Sequence, residues 1–396
     1  MDMITENKVV PNLRFREFND SWEKKKLGDV GKVKMCKRIF SNQTTKDGEI
    51  PFYKIGTFGK KADAFIDIDL YNEFKLKYSY PKDGEILMSA SGTLGKTVVF
   101  NGTPSYYQDS NIVWLANNEE LITNYFLFYI YQIVRYDSEG GTIQRLYNSI
   151  ILNTKFYKPS LPEQQKIASF LSSVDEKLQQ LSKKKELLED YKKGIMQKIF
   201  SQEIRFKDDN GNNYPNWEKK RLEEVIYFFN GKGHEQDVSS DGLFIIVNSK
   251  FISTNGKVKK YTNLQKCPLQ KDNIVMVMSD VPNGKALAKC YYIEKDNLYS
   301  LNQRICSLKQ KSINMRFLFY LLNRNKYFLK FDSGVGQTNI KKSEVLSCPL
   351  YIPSSIKEQQ SIAEFFTEID KKIEFVSHQL EKTKEFKKGL LQQMFV

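Results

Sequence analysis

From Ile167 onward an apolar residue falls on every seventh position, Ile167, Val174, Leu181, Leu188 and Ile195, with Phe170, Leu171, Leu178, Tyr191 and Ile199 widening the stripe. The spacing returns from Ile362 through Ile369, Val376, Thr383 and Leu390, flanked by Phe365, Phe366, Ile373, Leu380, Phe386 and Met394. A sustained period of seven predicts two long helices with a left-handed coiled-coil seam. Each run opens with the spacing of a capping box, Ser160-Leu161-Pro162-Glu163 and Ser355-Ile356-Lys357-Glu358. There the serine would satisfy an orphan amide and the glutamate would reach back to the cap. Gly194 and Gly389, near the far ends, imply close packing or fraying. A helix of about 40 residues is about 60 Å long, so one compact domain bridges the two most economically if they run antiparallel.

Outside these helices the pattern changes to short β-rich runs between turn signals, such as Ile50-Pro51-Phe52-Tyr53-Lys54-Ile55 and Leu243-Phe244-Ile245-Ile246-Val247. Each region also carries a late apolar helical stretch, Leu121 to Ile130 and Met315 to Leu322, whose aromatics read as core. The organisation is a mixed α/β domain at 1–156, a helix at 157–200, a second α/β domain at 201–350 and a second helix at 351–396. The halves repeat one another. Trp22-Glu23-Lys24-Lys25-Lys26-Leu27 returns as Trp217-Glu218-Lys219-Lys220-Arg221-Leu222, and Glu163 to Phe200 aligns with Glu358 to Phe395 without a gap. Two related halves in one chain imply a pseudo-twofold molecule and a partner with two similar, non-identical sites.

Charge narrows that partner. A net charge of +14 on 396 residues favours a polyanion such as DNA or RNA. No apolar run reaches membrane-spanning length, and the polar start Met1-Asp2-Met3-Ile4-Thr5-Glu6 does not read as a signal peptide, so the expected location is cytoplasmic. Five scattered cysteines, Cys36, Cys267, Cys290, Cys306 and Cys348, fit neither a disulfide framework nor a thiolate metal site and read as buried fillers. With only His234 and His378, histidine-based catalysis and metal binding have little raw material.

Candidate contacts lie in polar loops. Ala90-Ser91-Gly92-Thr93-Leu94-Gly95-Lys96-Thr97 fits a permissive phosphate-loop pattern, but Val98-Val99-Phe100 after it reads as a strand rather than a helix. The segment is therefore expected to be a hairpin tip presenting Ser91, Thr93 and Lys96 to a phosphate or base edge. Its counterpart in the second half offers Asn283 and Lys285. Gln108, Gln144, Arg145, Gln303, Arg304 and Gln337 carry the amide or guanidinium groups that pair bidentately with base edges, or else are hydrogen-bonded turn residues. Lys232 and His234 share a Gly-rich stretch in which His234 is either a solvated loop residue or a nucleic-acid contact. Lys37, Arg38 and Thr338 complete the set.

Taken in order, these motifs resemble those of the DNA-specificity subunits of type I restriction-modification systems over essentially the whole length. The resemblance rests on the two Trp-Glu-x-x-x-Leu openings and the turns Asp83-Gly84-Glu85-Ile86-Leu87 and Lys271-Asp272-Asn273-Ile274-Val275. It rests equally on Gly140-Gly141-Thr142-Ile143-Gln144 with Gly334-Val335-Gly336-Gln337, and on the helix starts at Pro159 and Pro353. The second half departs at Asn273, where glycine is expected, and in the Ser279 to Lys285 loop. The resemblance implies two mixed α/β target-recognition domains in pseudo-twofold arrangement, separated by two long antiparallel coiled-coil helices. It further implies reading of a bipartite asymmetric double-stranded DNA site, one half per domain, and docking of two methyltransferase subunits and of motor-nuclease subunits. The chain would hold no cofactor and no metal and be non-catalytic, S-adenosylmethionine, ATP and magnesium belonging to the partner subunits of an adenine-N6 methyltransferase and endonuclease. Alternatives are a methyltransferase-only complex, a nucleotide hydrolase built on Lys96, or a basic coiled-coil scaffold with Lys183-Lys184-Lys185 as a solvated face.

Overall fold

A computed structural model describes residues 9–136, 145–281, 284–332 and 334–396. The chain forms two compact units, Met1–Lys183 with Ser377–Val396, and Lys184–Val376. Each therefore holds one α/β head, the start of one long helix and the end of the other.

The same construction appears in both. In the first unit a four-stranded antiparallel sheet runs in the order Lys32–Lys34, Ile112–Ala116, Ile86–Ser89, Thr97–Val99. In the second the order is Ile226–Asn230, Ile305–Gln310, Ile274–Val277, Cys290–Tyr292. Ile86–Ser89 and Ile274–Val277 are buried throughout, which is why they read as unbroken apolar runs rather than alternating ones. Their side chains divide between two cores. Ile86 and Met88 pack with Phe126 and Ile130 of the helix Asn124–Ile133, while Leu87 joins Trp114, Phe52 and Tyr106 on the side of a smaller sheet. In the second unit Ile274 and Met276 face Phe317 of the helix Met315–Leu322, and Val275 and Val277 face Ile245 and Phe251. The late aromatic helices are thus core, as their pattern implied.

A two-stranded ladder closes each head. Glu23–Lys26 pairs antiparallel with Lys155–Lys158, and Trp217–Arg221 with Pro349–Pro353. Each ladder leads directly into a long helix, Leu161–Phe200 or Ile356–Gln393. The predicted seam is visible in burial: Ile167, Val174, Leu181, Ile362, Ile369, Val376 and Leu390 are all buried. Within the first unit Leu171 and Val174 share a core with Leu390, Met394 and Phe395, and Lys387 Nζ lies 2.6 Å from Asp175. Within the second, Lys192 Nζ lies 2.6 Å from Asp370 and Phe200 stacks on Phe366. In both units the two helical segments run in opposite directions.

The capping glutamates do something other than expected. Glu163 and Glu358 do not reach back to their caps; each turns into the head as a buried ion pair. Glu163, 1% exposed, accepts two hydrogen bonds of 2.7 Å from Arg14 and one from Trp22 Nε1 at 3.3 Å. Glu358, fully buried, is held by Arg205 at 2.9 Å and Trp217 Nε1 at 3.1 Å. A carboxylate without water is tolerated only when its charge and lone pairs are answered in this way. The neighbouring glutamines finish the joint. Gln164 accepts from Thr123 N and donates to the carbonyls of Leu121 and Pro159, and Gln359 accepts from Asn314 N and donates to Pro353 O. Thr123 and Asn314 are themselves the N-caps of the aromatic helices, so each long helix is tied to the start of a head helix.

Neither helix glycine is a packing site: a Cβ at Gly194 or Gly389 would meet nothing within 4 Å. Alanine at both positions should therefore stabilise, by up to about 1 kcal/mol each. A higher denaturant midpoint is the expected reading, and a lower one would show that the backbone there requires glycine. The cysteines are free, four of them buried, and burial pushes the thiols of Cys36 and Cys306 up to about 12, the behaviour of inert fillers. Among the described residues no helix is long and apolar enough to cross a membrane, and no cluster of three metal-ligating side chains occurs.

Candidate nucleic-acid interface

The loop Ser91 to Lys96 is a hairpin tip between Ile86–Ser89 and Thr97–Val99, so no helix follows it to hold a nucleotide phosphate. Gly92 and Gly95 at φ of +70° and +72° make the tight reversal possible. Ser91 forms a β-bridge with Arg145, and Leu146 N donates to Ala90 O at 2.9 Å. This places exposed Arg145 and Thr93 beside half-buried Ser91 on one rim of the head. Lys96 departs from the expectation. Its ammonium donates to Phe58 O and lies over the Phe58 ring, so it braces a neighbouring loop.

Gln108 is likewise engaged, accepting from Ile55 N at 2.9 Å, which supports the turn-residue reading. Arg38 pairs with Asp109 at 2.8 Å while remaining 59% exposed, and exposed Lys37 lies over Tyr78. Gln144 lies outside the described residues.

The second head presents its counterpart from a remodelled loop. Asp280 organises it, its carboxylate accepting from the amides of Val281, Ala286 and Leu287. Gly284 is required there, since a Cβ would fall 2.1 Å from Asp280 Oδ2. Sequence reasoning did not single out Asp280, although an aspartate shortly before a Gly-Lys-Ala run offers the signal. Gln337 donates to Ser279 Oγ at 2.6 Å, and Arg304 O accepts from Met278 N, so Arg304 and Gln337 flank the same loop with exposed side chains. Lys285 is exposed beside them, while Asn283 lies outside the described residues. Gln303 donates to Glu235 at 3.0 Å at an exposed position next to exposed Lys232.

Three further expectations are corrected. His234 is 1% exposed: Nδ1–H donates to Lys232 O at 2.7 Å, and Nε2 is hydrogen-bonded to Ser300 Oγ at 2.7 Å. It is a core residue that shapes the Gly-rich stretch, neither solvated nor presented at the surface. Thr338 is also buried, spending its hydroxyl on Asp332 at 3.1 Å. In the turn of the second head the left-handed residue is Asp272, φ +68°, which stands where Gly84 stands at +82°. Asn273 instead replaces Glu85, both side chains accepting the amide three residues back. The departure from glycine is thus at Asp272, and the turn itself is kept.

Gln337, like Gln108, is held by a hydrogen bond within its own unit. The remaining rim residues, Thr93 and Arg145 in the first unit and Lys285 and Arg304 in the second, project from scaffolds whose strand positions repeat while the rim chemistry differs. Such an arrangement can distinguish base edges through different donors on equivalent scaffolds. A family model for the type I restriction modification DNA specificity domain matches twice, over residues 19–190 and 214–385. A putative type I restriction enzyme specificity subunit of Haemophilus influenzae is 57% identical over 150 residues, 38% of this chain and 39% of that protein. A type I specificity subunit of Methanocaldococcus jannaschii is 26% identical over 81% of this chain and 77% of its own length. Among solved structures, the S subunit of a type I restriction-modification system from M. genitalium superposes with a TM-score of 0.64 at 18% identity, covering 98% of this chain and 99% of that one. Two family domains, together spanning most of the sequence, place this chain in the type I restriction-modification DNA-specificity family.

Proposed function

We propose that each unit reads one half of a bipartite double-stranded DNA site, through the rim of its head, and that the long helices carry the two readers in a single subunit. The observation that carries this is the duplication itself. Joints at Glu163 and Glu358 are built from the same residue types, whereas the loops they support differ, as expected where one scaffold must read two sequences. The chain performs no chemistry in this reading. It docks methyltransferase subunits that bind S-adenosylmethionine and modify adenine at N6, and motor-nuclease subunits that use ATP and magnesium, in the cytoplasm.

The test is to express the chain with its methyltransferase subunits and sequence the methylated DNA. A single asymmetric motif in two parts is expected; methylation without sequence preference would refute the proposal. Alanine at Arg145 or Arg304 should each cost about 1 to 3 kcal/mol of discrimination at one base pair, in one half-site only. Measured affinities for a panel of single-base variants would show it, and equal losses on all variants would mean that these arginines meet phosphate rather than bases.

A further inference from the structure

The ladder that closes the first head has one end whose charges cancel and one end whose charges do not. Glu23 faces Lys158 across the strands, and the two form an ion pair at 3.6 Å. At the other end Lys26 faces Lys155 directly, a like-charge pairing that works against the ladder. These lysines, with Arg135, Ser149, Asn153 and Thr154, line an open cleft of about 610 Å³. Lys26 Nζ is oriented by Asn153 Oδ1 at 3.1 Å, and no carboxylate among the described residues pairs with Lys26, Arg135 or Lys155. Ser149 follows the rim residue Arg145 by a few positions along the chain.

We propose that this cleft seats a backbone phosphate of the DNA, with Lys26, Arg135 and Lys155 as its cationic walls. The inference rests on the DNA-reading function above and adds a contact independent of sequence. An anion between Lys26 and Lys155 relieves their repulsion, which explains why the ladder keeps two lysines face to face. The ladder of the second unit is built differently at this end. In the second unit Arg221 occupies the corresponding ladder end, but it faces Pro349 and lies 3.7 Å from Glu223. The first half-site is accordingly gripped by phosphate and base contacts together.

Lys155→Glu separates phosphate binding from the fold, because the two effects have opposite sign. Opposite Lys26 the new carboxylate recreates the Glu23 to Lys158 arrangement, so the thermal midpoint of the full chain should hold or rise. In the assembled methyltransferase complex, binding to short duplexes should weaken for cognate and non-cognate sequences alike. The slope of log K against log salt should become shallower by about 0.9 for each phosphate that is no longer neutralised. Lys26→Ala should give the same shallower slope, and the methylated motif should stay the same in both variants. An unchanged slope would overturn the phosphate seat while leaving sequence reading intact. Loss of methyltransferase from the purified complex would overturn it in favour of a protein-docking surface. A wild-type complex that binds DNA without sequence preference, yet shows the slope change, would refute the reading function and keep the seat.

Discussion

Replacing Glu358 with alanine should lower the stability of the second unit by about 3 kcal/mol, the low end of the range for breaking a buried ion pair. The low end applies because Arg205 is 22% exposed and recovers some hydration when its partner is removed. The reverse truncation, Arg205→Ala, should cost more, since it strands a fully buried carboxylate beside the uncharged Trp217 indole. Pairing the two changes as Glu358→Leu with Arg205→Met should recover much of the loss, because no buried charge is then left unanswered. Denaturant midpoints of the full-length variants, followed by tryptophan fluorescence, report this directly because Trp217 is part of the joint. Single variants within about 1 kcal/mol of wild type would mean that the joint is only a surface pair. Glu163 and Arg14 should behave in the same way around Trp22 in the first unit.

Much of this molecule is legible in its sequence, and the part that is not has a common cause. The seam from Ile167 to Leu181 and from Ile362 to Val376 is local periodicity, so burial follows the sevens. The hairpin at Ser91 to Lys96 is readable because the β-branched Val98 and Val99 favour a strand over a helix. Glu163 is ambiguous in sequence because Ser-x-x-Glu suits two outcomes, and only Arg14 and Trp22, more than a hundred positions earlier, decide between them. His234 is hidden in the same way: its burial depends on Ser300, on a strand far along the chain. The opposition of Lys26 and Lys155 is a matter of ladder register, which composition and spacing do not contain. Local patterns thus announce the scaffold, whereas the partners of buried polar groups are set by long-range pairing.

Exchange of the first head should change one half of the recognised sequence completely and leave the other untouched. The joint explains where to cut and what the incoming head must carry. Residues 1–156 end just before the helix Leu161–Phe200, so a graft there leaves Glu163, Gln164 and Asp175 in place on the recipient. From its own sequence the donor must supply the arginine and indole that meet Glu163, the amide that meets Gln164, and the tyrosine that meets Asp175. In this chain those are Arg14, Trp22, Thr123 and Tyr129, the last donating to Asp175 at 3.0 Å. The end of the second helix adds Phe395 against Trp22 and Phe126, and Lys387 against Asp175. The same roles recur in the second unit, where Arg205, Trp217, Asn314, Tyr320, Phe200, Phe317 and Lys192 surround Glu358, Gln359 and Asp370. A donor head that keeps the set should dock in register and bring its own half-site, as methylome sequencing of the chimaera would show. A donor lacking the tryptophan and arginine should yield an unstable protein rather than a new specificity. If a well-folded chimaera changed both halves of the motif together, the two heads would not be independent readers, and the reading of this chain as a duplicated recognition unit would fail.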